Sequence, residues 1–146
     1  MTNILYVQTD RDQEGFYSLM GPFFGNRAAA KELGMPIWND PDRQWIVAID
    51  SAASRPIACA SIEFLKTKGK AVLKSAWVEP AFRHNGVYAR LCLERFRIAQ
   101  EHGVHTLTAT VTDKSLDTLL EHGFVRIGMR GKYMNLRLEM NPIHGY

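Results

Sequence analysis

Residues 70–96 read KAVLKSAWVEPAFRHNGVYARLCLERF, and no other stretch constrains the chain as tightly. "AVLKSAW" reads as a strand that Val78, Glu79 and Pro80 bring to a stop. From Gly86 the apolar residues Tyr88, Leu91, Cys92, Phe96, Ile98 and Ala99 recur at helical spacing, which predicts a helix to about His102. Arg95 falls inside that apolar arc, so it must either snorkel to water or find a partner. A strand that turns into a helix within a few residues exposes the helix's first amides. These have no partners inside the helix and carry partial positive charge, so the turn is an anion site.

The flanking sequence predicts an α+β chain. "ILYVQT" is a first strand. A helix follows that carries Phe16, Leu19 and Met20, with Asp10 or Asp12 as its cap, and "GPFFG" breaks it. "NRAAAKELG" is a second helix, capped by Asn26 and stopped by Gly34. "QWIVAID" and "PIACASIEFLKT" are strands, and "KTKGK" turns the chain into the stretch above. After Gly103, "HTLTATV" alternates as a strand. Asp113 caps a short helix carrying Leu116, Leu119 and Leu120, and Gly123 closes it. "VRIGMRG" and "KYMNLRLEM" form a hairpin, with Met134, Leu136, Leu138 and Met140 on one face of the last strand. The order is β-α-α-β-β-β-α-β-α-β-β in one domain over residues 1–146. The tail, "NPIHGY", either hangs free or packs on a partner subunit.

Composition narrows the class. The apolar fraction of 46% and charged fraction of 23% are those of a globular protein. No apolar run approaches the roughly 20 residues of a membrane span, and the first residues do not read as a secretion signal. Cys59 and Cys92 both sit among apolar residues, which fits buried thiols in a reducing cytoplasm. The histidines show no metal-ligand spacing, so no metal is expected. The net charge of +3 is uneven: residues 1–54 hold four Lys/Arg against seven Asp/Glu, residues 55–146 fourteen against eight. The basic part contains the anion turn, and its field favours a phosphate-bearing ligand.

The element order, with Val78-Glu79-Pro80 followed by Arg83-His84-Asn85-Gly86-Val87-Tyr88 and with Gly123-Phe124 closing the last helix, resembles the GCN5-related N-acetyltransferase family. The likeness is carried by residues 56–140; residues 1–55 share only element order. The resemblance implies a mainly antiparallel mixed sheet with splayed central strands and about four helices. It implies acetyl-CoA as cosubstrate, its pyrophosphate held by Arg83 and the amides of His84, Asn85, Gly86, Val87, Tyr88 and Ala89. Gly86, lacking a Cβ, lets backbone approach phosphate closely. Tyr88 departs from the family's usual Gly or Ala, so its side chain must point away from the pyrophosphate. The resemblance further places the pantetheine arm along Ala76, Trp77 and Val78, where one backbone donor can polarise the thioester carbonyl, and puts Thr112 in contact with the cofactor.

The same resemblance exposes a gap. Many members protonate the leaving thiolate with a tyrosine four residues before the "GF"; here that position is Leu119. Tyr133, at the start of the last strand, is the leading replacement and Ser115 the second, while a thiolate leaves readily enough to need no dedicated acid. Glu63 is a candidate base or a solvent-facing carboxylate. On the acceptor side, Asp10, Asp12, Glu14, Asp40 and Asp42 suit an amine cation, which Trp38 and Trp45 can stack on. The basic hairpin of Arg126, Arg130, Lys132 and Arg137 suits an anionic acceptor instead. The leading expectation is acetyl transfer to a primary amine of a small molecule or protein. A nucleic-acid acceptor and a catalytically weak acyl-CoA sensor are the alternatives. No membrane partner is expected, and a homodimer is compatible with the reading.

Overall fold

The computed structural model describes residues 3–140, so the tail 141–146 lies outside the described residues. The chain runs β1 (Ile4–Thr9), α1 (Phe16–Phe24), α2 (Arg27–Leu33), β2 (Arg43–Asp50), β3 (Arg55–Phe64), β4 (Lys70–Val78), α3 (Val87–Glu101), β5 (Thr106–Val111), α4 (Asp113–Glu121), β6 (Val125–Arg130) and β7 (Tyr133–Glu139), in the order expected from sequence. The strands form one sheet, ordered β1-β2-β3-β4-β5-β7-β6. Every neighbouring pair is antiparallel except β4 and β5.

Period-two alternation sends side chains to two cores. On one face α1 and α2 lay Phe16, Met20, Phe23 and Ala29 against Trp45, Val47, Cys59 and Trp77. On the other, α3 and α4 lay Leu91, Cys92, Ile98, Leu116 and Leu119 against Ile46, Ala58, Ala60, Ile62, Leu107 and Leu136. The central strand β3 is therefore covered on both faces, which explains why "IACASI" reads as a continuous apolar run.

Two local expectations change. "GPFFG" does not break α1: the helix carries Pro22 internally and ends at Phe24, because Phe23 and Phe24 must reach the core beside Trp77 and Trp45. Neither Asp10 nor Asp12 caps it. Asp10 instead accepts from the amide of Asp12 at 2.8 Å, and the helix starts from Gly15. Asn26 does cap α2, accepting from the Ala29 amide at 3.0 Å. At α4, Thr112 rather than Asp113 holds the cap position, without a side-chain cap bond.

The feature that builds a site is the central fork. β4 and β5 are paired only over residues 70–73 and 106–109. Beyond them β4 continues to Val78 along β3, with Ser75 as an extra residue at φ 24° where the β3–β4 register shifts. β5 continues along β7 to Val111. The edge of β4 from Lys74 to Val78 that faces β5 thus has no strand partner.

Candidate active site

Two adjoining cavities open at this fork. One, of about 580 Å³, runs along Ala76, Trp77 and Val78 to Arg83, His84, Gly86, Val87, Tyr88 and Ala89. The other, the inner of the two with respect to the fork, is about 420 Å³, lies between β4 and β5, and reaches Trp38 and Tyr133. Tyr88, Thr112, Ser115, Ala76, Glu32 and Leu33 line both, so the two form one continuous groove.

The outer cavity gathers the sequence-predicted anion turn. Gly86 precedes α3 at φ 79°, in the left-handed region that suits glycine, and no side chain caps the helix. A Cβ built there would meet nothing within 4 Å, so the turn has open space beside it. His84 is also left-handed, at φ 65°, which turns the loop sharply into the helix. Arg83 acts as a brace: its Nε donates to Val78 O and its Nη2 to Glu32 Oε1, both at 2.8 Å. The guanidinium also lies over the Trp77 ring, 5.8 Å from its centroid. Trp77 is a buried wall residue whose Nε1 donates to the same Glu32 oxygen at 3.3 Å. Asn85 alone among the predicted cofactor residues lines neither cavity; it is exposed.

The inner cavity brings Ser115 and Tyr133 together. The Tyr133 hydroxyl points at the end of α2, where a Cβ on Gly34 would lie 3.4 Å from it. Leu119 is fully buried and lines the cavity as hydrocarbon. Several acceptor-side expectations are corrected. Trp45 is fully buried in the core, its Nε1 donating to Asn39 at 2.7 Å, so it cannot stack on a substrate. Asp40 and Glu63 are both taken by the buried Arg43, at 3.1 and 3.0 Å. That network pins the loop 34–42, and Arg43 Nη1 also donates to Trp38 O at 2.7 Å. Trp38 keeps its place on the cavity wall.

One residue's role was not legible in the sequence. Arg95 does not snorkel, and among the described residues it finds no carboxylate. It is 2% exposed. Nη1 donates to Ser61 O and Nη2 to Cys92 Sγ, both at 3.3 Å, and Nε has no partner among the described residues. The guanidinium interacts with the Tyr88 side chain, which in turn contacts Ser115 across the groove. Tyr88 does point away from the anion turn, as its size requires, and it points into the fork. Burial pushes its phenol up, against the opposing pull of Arg95, so it holds its proton at neutral pH.

An uncapped helix start, a forked parallel pair and a groove joining them define a class: acyltransferases that draw on an acyl-CoA. The sequence profile of the acetyltransferase (GNAT) family matches residues 13–124, and the chain belongs to that family. Its members use acetyl-CoA as cosubstrate, and the chain is accordingly an acyl-CoA-dependent acyltransferase. No curated protein matches the sequence. Solved structures share the fold. The chain superimposes on GCN5 from Tetrahymena with a TM-score of 0.74 at 14% identity, over 100% of this chain and 99% of that one. The GNAT domain of S. lividans PAT gives 0.70 at 13%, covering 92% and 89%. The NatC complex bound to Gag peptide and CoA contributes a chain at 0.68 and 13%, covering 94% and 99%. The residues present fit acetyl-CoA: the uncapped turn at Gly86 offers donors to a pyrophosphate, and the open edge of β4 offers hydrogen-bonding groups to an amide-bearing arm.

Proposed function

We propose that the protein transfers the acetyl group of acetyl-CoA to a primary amine of a small molecule or protein. The observation that carries this reading is the continuity of the groove, which runs from a phosphate-ready turn through the fork to a second opening. The amides after His84 hold the anionic end, and Ala76, Trp77 and Val78 align the arm so that a β4 donor meets the thioester oxygen. The amine arrives from the side of Trp38 and Tyr133. Glu32, on the wall of both cavities, is ion-paired with Arg83 at 2.8 Å and braces the passage where the two cavities meet. Ser115, which lines both cavities, and Tyr133, which lines the acceptor-side cavity, are the hydroxyl side chains this reading offers as proton donors.

Positioning is the larger part of such catalysis, since a thiolate leaves readily once the amine is in line. The test is release of CoA thiol from acetyl-CoA over a panel of amine pools, with mass spectrometry of the products. An acetylated amine formed in step with thiol supports the reading. Tight acetyl-CoA binding with no acetylated product from small-molecule, peptide or aminoacyl pools would overturn it.

A further inference from the structure

The cluster at the fork leaves two facts unexplained by binding alone. A fully buried guanidinium lacks a carboxylate partner among the described residues, although an uncompensated buried charge costs on the order of several kcal/mol. A bulky phenol occupies a position beside the anion turn, and it lines both cavities where they meet. The thioester sulfur must pass that junction, because the outer cavity holds the anionic end and the inner one receives the acyl group. We infer that Tyr88 donates the proton that the departing thiolate takes up, and that Arg95 is the fixed positive charge that stabilises the phenolate left behind. The inference rests on the acyl-transfer reading above.

The step balances. The amine nitrogen forms the C–N bond as the C–S bond breaks, and the electron pair stays on sulfur. The Tyr88 proton moves to sulfur. The proton shed by the new amide nitrogen reaches solvent, and the phenolate regains one through Ser115, which lines both cavities with it. Arg95 supplies the opposite charge without competing for that proton, because a guanidinium does not deprotonate in proteins. The geometry separates Tyr88 from Tyr133, which lines only the inner cavity and directs its hydroxyl toward α2. Leu119, where a donor is missing, lies on the same inner wall as Arg95 and Tyr88, so the acid has moved from α4 to α3 within one cavity.

Other titratable groups face the junction. Cys92 lies on α3 itself, and Cys59 on β3 feels the Arg95 charge. Glu32 on α2, Arg43 on β2, Lys74 on β4 and Arg83 line the groove. A pH profile of turnover alone therefore mixes several groups, and the cleaner probe is CoA itself. Thiolate absorbance of CoA bound to the wild type, Tyr88→Phe, Arg95→Met and Tyr133→Phe is titrated against pH. A donor to sulfur favours the charged form, so losing it raises the thiol's titration midpoint by about one pH unit. That rise is expected in Tyr88→Phe and in Arg95→Met, where methionine keeps the site packed. Acetyl-CoA affinity should hold in Tyr88→Phe, which keeps the ring, while kcat falls about 10- to 100-fold.

An unmoved midpoint in Tyr88→Phe, a midpoint moved only by Tyr133→Phe, or loss of acetyl-CoA binding in a folded Tyr88→Phe would each overturn the inference and leave the acyl-transfer reading standing. Failure of the wild type to bind CoA would overturn both.

Discussion

Arg83 shows how one residue's job changes between sequence and structure. Its charge suggests a direct ligand for pyrophosphate, yet its hydrogen bonds run to Val78 and Glu32, so it fixes the turn against β4 and α2. A charge-assisted bond of this kind contributes about 1.5–3 kcal/mol. Arg83→Ala should therefore weaken acetyl-CoA binding by about tenfold through a loosened turn, measured by calorimetry, and Arg83→Lys should restore little because one point charge cannot serve both partners. Cys59 gives a prediction in pH. Burial raises its thiol well above an ordinary value of 9.0. The folded chain keeps the proton that the unfolded chain releases, so stability is full below pH 9 and falls as pH rises toward the folded value. The slope for one such group is about 1.4 kcal/mol per pH unit. Denaturant titrations at pH 8 and pH 10 should show that loss, and Cys59→Ala should show a smaller one. Burial of Cys59 was legible from its apolar neighbours. The fate of Arg95 was not, because the helical period places it on the buried arc without saying what β3 presents opposite.

Among the elements, the start of α3 was readable because anion sites at helix N-termini depend on local backbone. Gly86→Glu places a side chain and a negative charge at the turn. The glycine is exposed and a Cβ meets nothing, so the fold should survive at a cost of about 1–2 kcal/mol for the left-handed conformation. Acetyl-CoA affinity should drop more than about 100-fold, some 2.8 kcal/mol. Unchanged affinity in a folded variant would contradict the placement of the pyrophosphate. The first helix was less readable. Pro22 and two flanking glycines spell a break, but burial of Phe23 and Phe24 outweighs the roughly 3 kcal/mol that an internal proline costs. Asp40 in the loop 34–42 and Glu63 on β3 were misjudged for a related reason. Composition shows charge, whereas the structure shows Asp40 and Glu63 consumed by Arg43.

For the whole molecule, the order of helices and strands was legible, but the strand order of the sheet was not, since β3 is buried on both faces and β6 on neither. Family likeness supplied the splaying of the central strands, but the parallel pairing of β4 with β5 was not legible, because no local pattern in "AVLKSAW" or "TLTATV" distinguishes parallel from antiparallel neighbours. The fork opens an edge of β4 between two covered faces, and one groove runs from the Gly86 turn through the fork to Trp38 and Tyr133, where the proposed reaction would join phosphate, thioester and amine. That connection can be tested directly. The most direct measurement is a single-turnover experiment, with the protein in excess over acetyl-CoA labelled in its acetyl carbon and an amine pool present. The account predicts label appearing in amide as CoA thiol appears, at one rate, in the wild type and not in Gly86→Glu. Label retained in acetyl-CoA by a wild type shown to bind it, or transferred equally by Gly86→Glu, would contradict it.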